Sequence, residues 1–178
     1  MGTKNPVDIF SIILQRRSIR SFDSDPIPPE HVEQMMEVLR WAPSAGNRQP
    51  WHFYFVFEKQ ARKGLAAAAF NQDFISQAPL AVVVCALPGK SAMRYGKRGR
   101  ELYVYQDTAA AVENLLLLSS GLGYGSCWVG AFDENRASLV LGLPEEIRPV
   151  AIIPIGKPAE NPHPPNRLSR EEIITVVK

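Results

Sequence analysis

The sequence predicts an α+β domain in which helices cover a central sheet of about four strands. Three observations carry this. Residues 79–87, PLAVVVCAL, form a continuous apolar run, the mark of a strand buried on both faces. Several segments before and after it repeat their apolar residues at helical spacing. Strand-like segments lie near 51–57 and 80–87, and two more follow residue 125, with no internal repeat and no linker composition between them. A chain of 178 residues has the ordinary size of one domain, here residues 1–178, and can bury a substantial core without staples.

The elements follow in order. In DIFSIILQR (8–16), Asp8 can cap a helix whose Ile9, Ile12 and Ile13 share a face. Polar residues and prolines break the pattern in RRSIRSFDSDPIP. A second helix runs through PPEHVEQMMEVLRWA, with Pro29 in its first turn and Val32, Met35, Met36 and Leu39 at helical spacing. Pro43 ends it. WHFYFVFE is a strand by its aromatic and β-branched content, and KQARKGLAAAAF and NQDFISQ are helical. Residues 88–100, PGKSAMRYGKRGR, read as an exposed, mobile loop. ELYVYQDTAAAVENLLLLSSGLG is a long helix, apolar almost all round, so it lies in the core or under another subunit; Gly121 or Gly123 stops it. SCWVGAF is a short strand, DENRASLVLGL a helix capped by Asp133, and RPVAIIPIG another strand. Five of the 15 prolines fall in 154–165, a stretch that wraps rather than folds regularly. SREEIITVVK then opens with a Ser169/Glu172 capping box.

Composition narrows the function. Net charge is +2, so it does not point to nucleic acid or an anionic membrane. No apolar run approaches the ~20 residues of a membrane span, and MGTKNPVDIF lacks the apolar stretch of a signal peptide, so a cytoplasmic protein is expected. Two cysteines and three scattered histidines give no metal-ligand spacing. No GxSxG elbow is present, and no side chain stands out as a catalytic acid, base or nucleophile.

Five segments could carry chemistry. In RRSIRSF, Arg16, Arg17 and Arg20 surround Ser18 where the first helix ends. They form either a basic helix C-terminus or an anion cradle, since guanidinium forks and a hydroxyl match a phosphate. WAPSAGNRQPW (41–51) sets amides and a hydroxyl between prolines. SGLGYGSCWVG has glycines with the wrong spacing and the wrong element order for a dinucleotide fingerprint. Its Gly130 leaves room for something flat to approach the backbone. GKPAENPHPPNRLSR places Lys157, Arg167 and Arg170 among prolines, either as solvated charges or as a second arm on the same anion. Arg94, Lys97, Arg98 and Arg100 form a solvated face or attract a phosphorylated cosubstrate.

RRSIRSF, APSAGNRQPWHF, GYGSCWVGAF and IGKPAENP…R, in that order, resemble the nitroreductase family of flavoproteins over nearly the whole chain. The resemblance implies a nitroreductase-like fold with a mostly antiparallel central sheet, a homodimer, and one FMN per subunit at the dimer interface. It implies a ping-pong cycle in which NADH or NADPH reduces FMN, which then reduces a small-molecule acceptor such as a nitro compound or quinone. It assigns Arg16, Arg17, Ser18 and Arg167 to the FMN phosphate, and Arg20 to the pyrimidine edge of the ring. Pro43, Ser44, Ala45, Asn47 and Gln49 would complete the pocket, partly from the other subunit. The backbone of Gly130 and Ala131 would meet flavin N5. The cofactor carries the hard step, so no catalytic side chain is expected. The alternatives are a specialised flavoenzyme of the same fold, such as a reductive dehalogenase or a flavin-consuming enzyme, and a flavin-binding module without turnover.

Overall fold

The computed structural model describes residues 8–178; the reading of the leader segment falls mostly outside them. The sheet is built from β1 (Trp51–Val56), β2 (Leu80–Ala86), β3 (Gly125–Ser126) and β4 (Arg148–Gly156), in spatial order β1-β2-β4-β3. All three pairings are antiparallel, with Trp51 opposite Ala86, Leu80 opposite Ile155 and Gly125 opposite Gly156. The β2–β4 register shifts between Val84 and Cys85, beside Pro149 of β4, which has no N–H for the ladder.

The sequence pattern explains the layers. Alternate residues of a strand face opposite sides. Leu80, Val82 and Val84 of β2 join Ala151, Ile153 and Ile155 of β4 in one core. It is covered by Met35 and Leu39 of α2 (Pro29–Arg40) and by Ala111, Val112 and Leu115 of α6 (Val104–Gly121). Ala81, Val83, Cys85 and Ile152 face the other way. They pack against Leu65, Ala66 and Ala68 of α3 (Lys59–Ala68), Ile75 of α4 (Phe74–Gln77) and Ala137 of α7 (Glu134–Leu141). Every residue of β2 is buried, as its unbroken apolar run requires. Each fully buried Val, Leu or Ile contributes about 1.5–3 kcal/mol relative to exposure.

The caps read from the sequence form. Asp8 accepts from the Phe10 and Ser11 amides at the start of α1 (Ile9–Gln15), and Asp133 accepts from the Arg136 amide at α7. The Ser169/Glu172 capping box opens α8, which spans only Arg170–Ile173. Residues 157–169 contain no helix and stay almost wholly exposed, as their prolines predict.

Two segments differ from expectation. Residues 88–100 are not a loop. They form α5 (Pro88–Arg98), which continues through a π-helical turn (Gly99–Tyr103) into α6. Pro88 starts the helix where its missing N–H costs nothing. Gly96, at φ +54° and ψ −136°, kinks it where another residue would be strained. The predicted strand at SCWVGAF is mostly extended loop: only Gly125–Ser126 is strand, and Val129 makes a single bridge to Ile152. Among the described residues, no helix is long and apolar enough to cross a membrane.

Candidate active site

The chain leaves α1 at Arg16, whose amide closes the last turn on the Ile12 carbonyl at 2.9 Å. Arg17 turns back and donates to the Leu14 and Arg16 carbonyls at 2.7 and 2.8 Å, which satisfies the helix end. Ser18 then bridges in parallel to Ser126, and the Ile19 amide donates to the Ser126 carbonyl at 2.9 Å. This segment therefore extends the sheet beyond β3. Ile19 is buried, while Ser18 and Arg20 line the other side. Gly125 is closely packed: a Cβ there would stand 2.7–2.9 Å from three Ile19 atoms and force a shift.

The far end of the chain returns to the same place. Phe22 bridges Pro158, and the Asp23 amide donates to the Lys157 carbonyl. The Glu160 carboxylate accepts from the Arg20 amide. The proline-rich stretch then closes a cavity of about 330 Å³ lined by Arg16, Arg17, Ser18, Arg20, His163, Arg167 and two prolines. Four guanidinium groups and a hydroxyl line it, and no carboxylate does. Arg17 caps the helix end and also borders the cavity. Cys127 is buried nearby; burial raises its thiol pKa, while Arg20, Ser18 and Arg16 pull it down.

Residues 43–49 form a separate, pre-shaped element, and none of them lines that cavity. A 3-10 turn (Ala45–Asn47) holds Gly46, Asn47 and Gln49 at φ between +48° and +54°. Two non-glycine residues in that region carry strain, which concentrates at functional sites. Three contacts fix it. The Gln49 amide donates to Ser44 Oγ at 2.9 Å, the Ala45 amide to Asp107 Oδ1 at 2.9 Å, and Lys90 Nζ to the Gln49 carbonyl at 3.0 Å. Pro43, Asn47 and Gln49 remain exposed. Asp107 lies in α6 with its Oδ2 buried and unpartnered; burial raises its pKa more than the Ala45 bond lowers it.

Gly130 and Ala131 follow the Val129–Ile152 bridge and are both exposed. A Cβ at Gly130 would meet nothing nearer than Trp128, at 3.7 Å, so the face is open. Gln72 Nε2 donates to the Ala131 carbonyl at 3.1 Å and ties it to the turn at Phe70 and Asn71, both at positive φ.

Arg16, Arg17, Ser18, Arg20 and Arg167 are thus brought together, and residues 43–49 and 130–131 form two further elements. Asp107, Lys90 and His163 were not singled out as site residues. Asp107 carries a signal nonetheless, as one of two acidic residues, with Glu113, in a helix that is largely apolar.

Comparison with known proteins identifies the family and the fold. The model of the nitroreductase family matches residues 13–72 and 66–157. A protein of Archaeoglobus fulgidus, named as a candidate NADH dehydrogenase/NAD(P)H nitroreductase, is 34% identical over 177 residues, covering 93% of this chain and 98% of its own. The NADH dehydrogenase of Thermus thermophilus is 29% identical, covering 94% of this chain and 95% of its own. The NADPH:FMN oxidoreductase of Vibrio harveyi, solved with NAD+, superposes with a TM-score of 0.86 at 24% identity over 96% of this chain and 77% of its own. By sequence and by fold, this chain belongs to the nitroreductase family, and with its relatives it is an oxidoreductase.

Proposed function

We propose that the protein is a homodimeric, FMN-dependent NAD(P)H oxidoreductase that reduces nitro compounds, quinones or related small acceptors in a ping-pong cycle. The observation that carries this reading is the cavity at the end of α1. Arg167 is brought back beside Arg16 across most of the chain, to a cavity lined by cationic and hydroxyl donors, with Glu113 on the adjoining cavity and Glu160 on the Arg20 amide as the nearby carboxylates. A phosphomonoester bears about two negative charges at neutral pH and takes such donors well. FMN, when bound, supplies the hydride chemistry. Arg16, Arg17, Ser18 and Arg167 hold its phosphate, and Arg20 faces the pyrimidine edge. Pro43, Ser44, Ala45, Asn47 and Gln49 complete the pocket, partly from the second subunit. The open backbone at Gly130 and Ala131 lets the flat ring approach.

A specific surface supports the dimer. Ile9, Ile12, Val38, Leu117, Leu118 and Leu122 line an apolar groove of about 490 Å³. Beside it, Phe10, Ile13 and Leu14 of α1 are each more than half exposed. An apolar stripe of this kind on a helix needs a partner face. The strained but pre-fixed loop at 43–49 then meets its ligand already ordered, which lowers the cost of binding.

The test is a visible spectrum of purified protein under anaerobic conditions. Flavin bands that bleach with NADH or NADPH and return with a nitroarene or quinone support the reading. Bound flavin that neither donor reduces would leave a binding module without turnover. Arg16→Ala with Arg20→Ala is expected to strip most of the FMN. Full occupancy in that variant would place the phosphate elsewhere.

A further inference from the structure

We infer that the kinked α5 and its π-helical turn form a subsite for the 2′-phosphoadenosine end of NADPH, with Arg94 and Arg98 as its specificity-determining residues. This rests on the proposed reading that residues 43–49 border the flavin.

Charge comes first. Residues 88–103 hold five basic residues (Lys90, Arg94, Lys97, Arg98, Arg100) and one acid (Glu101). That segment is +4 in a chain of +2, so all the rest sums to −2. A concentrated charge on one short segment steers an anionic ligand.

Geometry comes second. The kink at Gly96 places Tyr95 edge-to-face against Tyr103, with ring centroids 5.2 Å apart. Arg94 stands over the Tyr95 ring at 5.6 Å, and Arg98 over the Tyr103 ring at 5.2 Å, where its Nε donates to the Tyr103 hydroxyl at 2.8 Å. Lys97 is engaged by Glu101 at 3.8 Å. Arg94 and Arg98 have no carboxylate partner among the described residues. Two exposed guanidiniums, each held over a tyrosine ring, present pre-positioned donors for a phosphate. π-helical turns are rare and are frequently found at functional sites.

Position comes third. The Arg94 guanidinium lies 3.3 Å from where a Cβ on Gly46 would stand, with Tyr95 Oη against the same point. Lys90 also grips the Gln49 carbonyl. The basic helix is therefore seated on the tip of the candidate flavin loop. A dinucleotide whose nicotinamide stacks at that loop could extend its adenosine end along this helix, and NADH lacks the 2′-phosphate that these arginines would address.

The test has two arms on the full-length protein. Isothermal titration with adenosine 2′,5′-bisphosphate reads the subsite without turnover. The expected result is binding that AMP does not match and that Arg94→Gln or Arg98→Gln weakens about tenfold, the worth of one charge-assisted contact. Steady-state kinetics of the FMN-loaded enzyme are expected to show a preference for NADPH. The ratio of kcat/KM for NADPH over NADH falls about tenfold in either variant, mainly through KM. Equal use of both donors by the unmodified enzyme, or an unchanged ratio in both variants at unchanged flavin content, overturns the inference and leaves the proposed function standing. A protein that takes up no FMN overturns the proposed function as well.

Discussion

Gly125→Ala probes whether sheet packing places the anion cavity. Gly125 pairs with Gly156 in the β3–β4 ladder, and the next residue, Ser126, carries the segment that begins at Ser18. An added Cβ would stand 2.7 Å from Ile19 Cγ1, 2.8 Å from its Cβ and 2.9 Å from its Cγ2. One of those atoms is the Cβ itself, so no rotamer change relieves the contact, and the backbone of residue 19 must move. Overpacking of this kind costs about 1–3 kcal/mol. In a domain of this size each kcal/mol lowers Tm by about 2–4 °C, so the expected drop is about 2–12 °C by thermal circular dichroism. Residue 19 lies between Ser18 and Arg20, so FMN affinity, read by flavin fluorescence, is expected to fall with it. Gly130→Ala is the control. Its Cβ would find open space, with Trp128 at 3.7 Å, and stability is expected to change by less than about 0.5 kcal/mol. A Gly125→Ala protein that melts with the unmodified chain and binds FMN equally would refute the claim that this contact sets the cavity.

Other expectations follow from single groups. Asp107 has a raised native pKa, so the native state holds its proton more tightly than the unfolded chain does. Its ionisation therefore opposes folding above that pKa, and the penalty is relieved as pH falls through it. Asp107→Asn keeps an acceptor for the Ala45 amide. It is expected to be at least as stable as the unmodified protein at pH 7, with the advantage shrinking toward pH 4 in urea titrations; a clear loss at pH 7 would count against this account. The Cys85 thiol is buried, with its pKa pushed up to about 12, and Cys127 is buried too, so iodoacetamide at pH 8 is expected to label neither until the chain unfolds. Arg148 donates to both Glu134 oxygens, but the pair is nearly half exposed, so Glu134→Gln is expected to cost under about 1 kcal/mol in chemical denaturation. Light scattering is expected to give twice 19.8 kDa, and Ile9→Glu with Leu117→Glu to give monomers that release FMN.

What the sequence disclosed was local. β2 was legible because an unbroken apolar run has one comfortable place, between two covered faces. The caps at Asp8, Asp133 and Ser169 were legible because their partners lie two or three residues away. RRSIRSF declared itself by charge density. Residues 88–100 were misread because five charges and three glycines resemble a solvated loop, while the kink and π turn that organise them depend on tertiary packing. The supports of residues 43–49 were hidden for a related reason. Lys90 reaches Gln49 across 41 positions and Asp107 reaches Ala45 across 62, and periodicity carries no record of such pairings.

The strand order also sets a schedule for folding. β2 is flanked by β1, which precedes it, and by β4, which begins 62 residues after β2 ends. During synthesis, β2 therefore waits with one edge unpaired until β4 emerges, although the helices that cover its two faces are made before β4. Long-range pairing of this kind folds slowly and exposes a sticky edge in the interval. A chain terminated before Arg148 would keep that edge permanently and is expected to aggregate rather than fold to a smaller domain. β4 thus sets when the central strand loses its exposed edge, as well as completing the sheet.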